Sequence, residues 1–376
     1  MAAAAFRADH VGSLLRPPEV LQAHADLAQG RVSAEEVRAI EDRAILAVFD
    51  VQRQAGVAIF TDGEFRRGSW AGDFADAVEG YVPGEPPIKL AWKTLDGQVR
   101  APAAPTPSQA GRVIGQPLRQ HRRLTAHESA FVKQHAPGPC KVTTPAASYT
   151  TARGFSPAVT LQAYGSRAEL AQAVGEIMRS EVNALAEEGI DYIQLDNAHY
   201  PDYIPEDRRA ELKALGIDPE QSILEDIEAD NLAIRDVDRS RHTVAMHICR
   251  GNGPGSVWHT QGGYEAIAEQ VFGSLNVDRF LLEYDSERAG GFEPLRFMPK
   301  NKTVVLGLVT TKSGQLESQD LLLRRIEEAA RYVDMERLAL SPQCGFASVA
   351  PGNAITADEQ RRKLELVATT AARAWG

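Results

Sequence analysis

Cysteine is scarce in this sequence: Cys140, Cys249 and Cys344 are the only three in 376 residues. So few thiols, odd in number, exclude a disulfide framework and leave each free for packing, metal binding or catalysis in a reducing compartment. Long apolar runs are missing as well. No segment approaches 18 consecutive apolar residues, and the N-terminal MAAAAFRADH lacks a basic stretch followed by an apolar core, so neither a membrane span nor a signal peptide is expected. Basic charge is in the minority, with 41 Lys and Arg against 51 Asp and Glu and a formal net charge of -10. That balance disfavours nucleic acid, whose phosphates call for clustered cations. Together the absences imply a soluble cytoplasmic protein with small-molecule partners. They leave the oligomeric state open, a homo-oligomer included.

What the chain does contain is an alternation. Short β-rich runs ending in polar residues or glycine occur at 7–13, 57–64, 141–146, 191–197, 242–249, 279–285, 303–312 and 337–345. Amphipathic helical stretches at 33–56, 166–189, 222–237, 263–275 and 318–333 separate most of them, and a last one at 356–375 closes the chain. Strands alternating with helices mean parallel pairing through helical crossovers. Eight such runs predict an α/β fold of the (β/α)8 TIM-barrel type, one domain over 1–376, rather than a doubly wound open sheet, which usually has fewer strands. The segment 82–140, rich in Pro, Gly and Gln, reads as an inserted excursion after the second strand. A hairpin and a short helix at 125–135, lying over one end of the barrel, are expected there.

Active sites of such barrels lie at the C-terminal ends of the strands. The polar residues there are Asp9, His10 and Ser13, Asp62 and Glu64, Asp196, His247 and Cys249, Glu283 and Asp285, Lys312, and Cys344. Side chains two apart on a strand share a face, so His247 and Cys249 project together while Val244, Met246 and Ile248 face the helices. Glu283 ends the next strand, and closure of the barrel could bring Cys344 across the mouth. Two cysteines, a histidine and a glutamate make a sensible zinc set. Taken singly, a His-x-Cys pair also arises by chance, and a lone strand-end Cys is usually a small core residue. Zinc lowers the pKa of a coordinated thiol. An electron-rich site with two thiolates therefore suits alkyl transfer to a thiol better than hydrolysis.

The stretches VGSLLRP, TDGEFRR, YIQLDN, HIC, LLEYD, LGLVTTK and LSPQCGF, in this order along nearly the whole chain, resemble the C-terminal catalytic module of cobalamin-independent methionine synthase and its shorter single-barrel relatives. The resemblance implies zinc held by His247, Cys249, Glu283 and Cys344, and homocysteine held by Ser13, Glu64 and Asp196. His10 beside Ser13 is expected to bind the same substrate, and Lys312 to act in catalysis with Glu64 and Asp196. Three features depart from the family pattern. GPCKVTTPAASY carries no Trp after the third strand, Asn197 stands where an acidic residue would follow Asp196, and TTKSG around Lys312 replaces a His. The implied reaction is methyl transfer to homocysteine from a donor left open. Addition of a thiol such as coenzyme M to an epoxide is the sibling reading. A metal-free uroporphyrinogen decarboxylase-like lyase and a non-catalytic zinc protein are the further alternatives.

Overall fold

The computed structural model describes residues 6–86, 90–100 and 111–376. Six of the expected strands form one parallel sheet whose spatial order follows the chain: Lys141–Pro145, Tyr192–Asn197, Thr243–Ile248, Arg279–Glu283, Thr303–Val309 and Leu338–Pro342. The first two runs are shorter than expected and make single parallel bridges, Ala8 with Leu340 and Phe60 with Cys140. Ala58 N donates to Ala8 O at 3.0 Å, so the hydrogen-bonded circuit runs from the last strand through both short segments to the strand at Lys141. The second run stops early because a helix side chain replaces its ladder partner. Gln52 accepts from Thr61 N at 2.9 Å and donates to Thr61 O at 2.8 Å.

Strand parity sets the two sides of this sheet. Val11, Ile59, Tyr192, Ala245, Leu281, Val305 and Ala339 pack on one another as an inner core separate from the main cluster. The intervening positions, such as Val244, Met246 and Ile248, belong to the large outer cluster beneath the helices. Residues at the C-terminal end that keep the inner parity therefore look into the mouth.

The helices follow local chemistry. Ala34–Ala55 begins at Ser33, whose hydroxyl accepts from Glu36 N while the Glu36 carboxylate accepts from Ser33 N, and ends at Gly56 with φ +79. Its buried residues Val37, Glu41, Ala44, Ile45, Val48, Phe49 and Gln52 recur at three- and four-residue spacing, and each large apolar one contributes roughly 1.5–3 kcal/mol on burial. Arg167–Glu187 and Ala357–Trp375 likewise start at Ser166 and Thr356. The helix expected at 222–237 runs instead over Pro219–Ala233, since Asp218 caps it and Pro219 suits its first position. Pro18–Ala28, Ala147–Gly154 and Glu206–Ala214 are additional helices.

The excursion starts at Val78, earlier than expected. Val78–Pro83 pairs antiparallel with Arg112–Gln120, and a second hairpin joins Trp92–Lys93 to Val99–Arg100. The short helix is Ser129–His135. The second hairpin lies on the loop after the His247 strand: Lys93 N donates to Trp258 O at 2.7 Å, and Trp258 N to Lys93 O at 3.0 Å. No helix among the described residues is long and apolar enough to cross a membrane.

Candidate metal centre and adjoining pocket

His247 and Cys249 keep the inner parity at the end of their strand, and Glu283 ends the neighbouring one. Cys344 follows the last strand on the other side of the mouth. One ligand atom from each of the four lies within 4.8 Å of all the others, and all four residues are buried. Cys249 Sγ and Cys344 Sγ are 3.5 Å apart, both as free thiols. Two sulfurs bound to one tetrahedral ion at about 2.3 Å would sit roughly 3.8 Å apart, so the spacing needs only a small adjustment. His247 Nδ1 lies 3.2 Å from Leu281 O, which favours the tautomer with its hydrogen there. Its Nε2 is buried with no hydrogen-bond partner. A buried imidazole nitrogen left unpaired beside two thiols and a carboxylate is the arrangement a metal ion completes.

Neighbouring groups orient these donors. Glu283 accepts from Arg250 N at 2.7 Å through Oε1 and from Arg288 Nη2 at 2.6 Å through Oε2. Arg288 also pairs with Asp285 at 2.9 Å, and Gly251 N donates to Cys249 Sγ at 3.3 Å. Without metal, burial works against charge on His247. The Cys344 thiolate and the carboxylates of Asp196 and Glu283 outweigh it, pushing the imidazole up to about 9. Cys344 is held well below the usual thiol range by hydrogen bonding from Cys249 and by His247, whereas Cys249 is pushed up. A metal ion held by these four residues would therefore displace protons from His247 and Cys249.

Ser13, Glu64 and Asp196 gather beside this centre. Asp196 is paired in register with His247 across adjacent strands. A Cβ placed on Gly345, the residue after Cys344, would meet Ser13 Oγ at 1.9 Å, and one on Gly12 would meet Thr143 Cγ2 at 2.7 Å and Glu64 Oε1 at 3.5 Å. Those two glycines let the three segments close together. Glu64 sits at φ +60, left-handed for a residue with a side chain. It is kept there by Asp62 Oδ1 accepting from Glu64 N at 2.9 Å and Arg16 Nη2 donating to Glu64 O at 2.7 Å. Glu64 Oε1 accepts from Thr143 Oγ1 at 2.9 Å, and Oε2 is buried without a partner. Burial pushes Glu64 up, and Asp196 up to about 7.

One expectation is corrected, and a second residue has a further role. His10 lies between Asp9 and Val11, which face the barrel interior, so its ring turns to the other side, where Nε2 lies 3.1 Å from Ile59 O and the ring neighbours Gln52. Burial lowers it to about 4, and it does not join Ser13 in the pocket. Lys312 Nζ is directed at Gly251 O at 3.1 Å, Asn252 Oδ1 at 2.7 Å and Val257 O at 3.4 Å. All three of its hydrogens thus meet the loop after Cys249, and its ammonium group stays close enough to Cys344 and Glu283 for their charges to act on it. Arg288 and Thr143 escaped the sequence reading. Thr143 could have been found from inner parity on its strand; Arg288, in a loop, carried no such signal.

A parallel barrel-type α/β sheet, with a His-Cys-Glu-Cys cluster that could hold a metal ion at the ends of its strands, defines the class of fold and site. A sequence profile described as the catalytic domain of cobalamin-independent synthase matches residues 6–365, and the chain belongs to that family. It is similar to the uncharacterized protein YxjG of Bacillus subtilis strain 168, 36% identical over 98% of this chain and 95% of that one. It is also similar to the methionine synthase of Pyrococcus abyssi, 23% identical over 89% and 85%. A crystal structure from Listeria monocytogenes, assigned as a vitamin-B12 independent methionine synthase, superposes with a TM-score of 0.75 at 28% identity and 99% coverage of both chains.

Proposed function

We propose that this protein is a zinc-dependent transferase that moves a methyl group to the thiol of homocysteine. The observation carrying the reading is the convergence of His247, Cys249, Glu283 and Cys344 with ligand atoms within 4.8 Å, on a chain of the cobalamin-independent synthase family. Zinc suits two thiolates, an imidazole and a carboxylate, and when bound it keeps a substrate sulfur as thiolate at neutral pH. Glu64 and Asp196 receive the α-ammonium group of the amino acid through the carboxylate oxygens that carry no protein hydrogen bond. Ser13 and the turn amides beside it receive the α-carboxylate. Arg288 and the Arg250 amide hold Glu283 toward the centre. Lys312 holds the loop that forms one wall of the mouth.

The test is metal analysis of purified protein together with homocysteine titration by calorimetry. Close to one zinc per chain is expected, with most of it lost in Cys249→Ser and in Cys344→Ser, and homocysteine should bind the wild-type holoprotein. Full zinc retention in both variants would remove the metal assignment, and failure to bind homocysteine would remove the acceptor assignment.

A further inference from the structure

Gln194 and Lys141 have no part in the chemistry described so far, yet they lie buried directly beneath Asp196. Gln194 precedes Asp196 by two positions on its strand and shares its face. Its Nε2 donates to Asp196 Oδ1 at 2.8 Å and to Val11 O at 2.6 Å, while its Oε1 accepts from Lys141 Nζ at 2.8 Å. A carboxamide can be turned by half a rotation, which would set its oxygen against the Asp196 carboxylate. Lys141 prevents that turn, because an ammonium group only donates and can be met only by the amide oxygen.

Lys141 is itself held in place. Its three hydrogens meet three acceptors: Asp9 Oδ1 at 2.6 Å, His10 O at 2.6 Å and Gln194 Oε1. The second Asp9 oxygen accepts from Tyr192 OH at 2.9 Å, and Arg279 stands 3.9 Å from it. None of Asp9, Lys141, Tyr192 or Gln194 is more than 1% exposed. A chain of hydrogen bonds with one allowed direction thus runs from Asp9 to Asp196. It consumes Oδ1 of Asp196 and leaves Oδ2, which has no hydrogen bond among the described residues, toward the mouth.

From this arrangement we propose that Gln194 is a positioning residue for recognition of the substrate's α-ammonium group, and that the Lys141–Asp9 pair sets the orientation of its carboxamide. The inference rests on the reading of Asp196 as an ammonium acceptor. It adds that selectivity for an amino-acid thiol depends on a residue that never touches the substrate. Removing the amide frees Asp196 to turn toward other donors and leaves the thiol half of the site as it is.

The experiment compares homocysteine with 4-mercaptobutyrate, which keeps the thiol and the carboxylate and lacks the amino group. Dissociation constants are measured by calorimetry on metal-loaded protein. Wild type should prefer homocysteine. Gln194→Met, close in shape, should lose about tenfold in homocysteine affinity, the worth of one buried charge-assisted hydrogen bond, with 4-mercaptobutyrate affinity and zinc content unchanged. A merely structural role would weaken both thiols alike. If Gln194→Met does not fold, the paired substitution Asp9→Asn with Lys141→Met removes the orienting charges together and should narrow the preference in the same way. Equal binding of the two thiols by wild type would overturn the acceptor reading and this inference with it. Clear discrimination by wild type that persists undiminished in the variants would overturn this inference alone.

Discussion

In the proposed reading Asp196 gives up stability for binding. Its folded pKa of about 7 lies above the usual aspartate value of 3.8, burial being the main cause. Between those two values the folded state holds a proton that the unfolded state has released, so stability falls as pH rises through that window. Asp196→Asn removes the penalty. Metal-free Asp196→Asn should therefore be more stable than wild type at pH 8 by about 2–4 kcal/mol, and the gain should vanish near pH 4. Thermal melts at the two pH values check this, and homocysteine affinity should fall in the same variant. Residues of this kind are readable from sequence when strand parity places them. Parity places His247, Cys249 and Glu283, and it would place Gln194 as well, whereas Asp196 stood out as a polar strand end and by the family resemblance. His10 failed the same test because its neighbours Asp9 and Val11 hold the inner face. For Lys312, a strand-end position gives no sign that its hydrogens meet the loop at Gly251 and Asn252.

The elements differ in how much their own sequence decides. Ser33 and Glu36, and Thr356 and Glu359, close reciprocal caps that can be recognised from four residues alone. Ser33→Ala should cost about 1 kcal/mol in urea unfolding and leave activity unchanged, since among the described residues the Ser33 hydroxyl bonds only within its own cap with Glu36. The loops at the strand ends follow a different rule. Gly345 is required by its neighbour Ser13, whose Oγ would lie 1.9 Å from any Cβ there. Gly345→Ala should retain zinc and lose at least about tenfold in homocysteine affinity by displacing Ser13; unchanged binding would show that Ser13 has no part in the pocket. Such a requirement comes from a residue more than 300 positions away, so no local pattern announces it. The second short strand is cut off from nearer by, since Gln52, nine residues before Thr61, takes the place of its ladder partner.

At the scale of the whole molecule, the eight-run alternation specified the order of the sheet, and the order placed His247 beside Glu283. The excursion is where composition said least. Its Pro and Gly content marked a departure from the barrel without showing where it would land. It lands on the loop that Lys312 anchors: Lys93 pairs with Trp258, and the Trp92 ring meets His259 at 5.1 Å. Trp92→Ala should raise amide hydrogen exchange through 250–260 while zinc content stays at the wild-type level. Unchanged exchange would mean the hairpin rests there without restraining the loop.

In the proposed function a thiol substrate is activated at a centre built from two cysteines, one histidine and one glutamate. Zinc K-edge X-ray absorption of the holoprotein, recorded with and without homocysteine, tests it most directly. Two sulfur neighbours per zinc are expected at rest, from Cys249 and Cys344, and three when homocysteine is present. A sulfur count that stays at two under saturating homocysteine would contradict it.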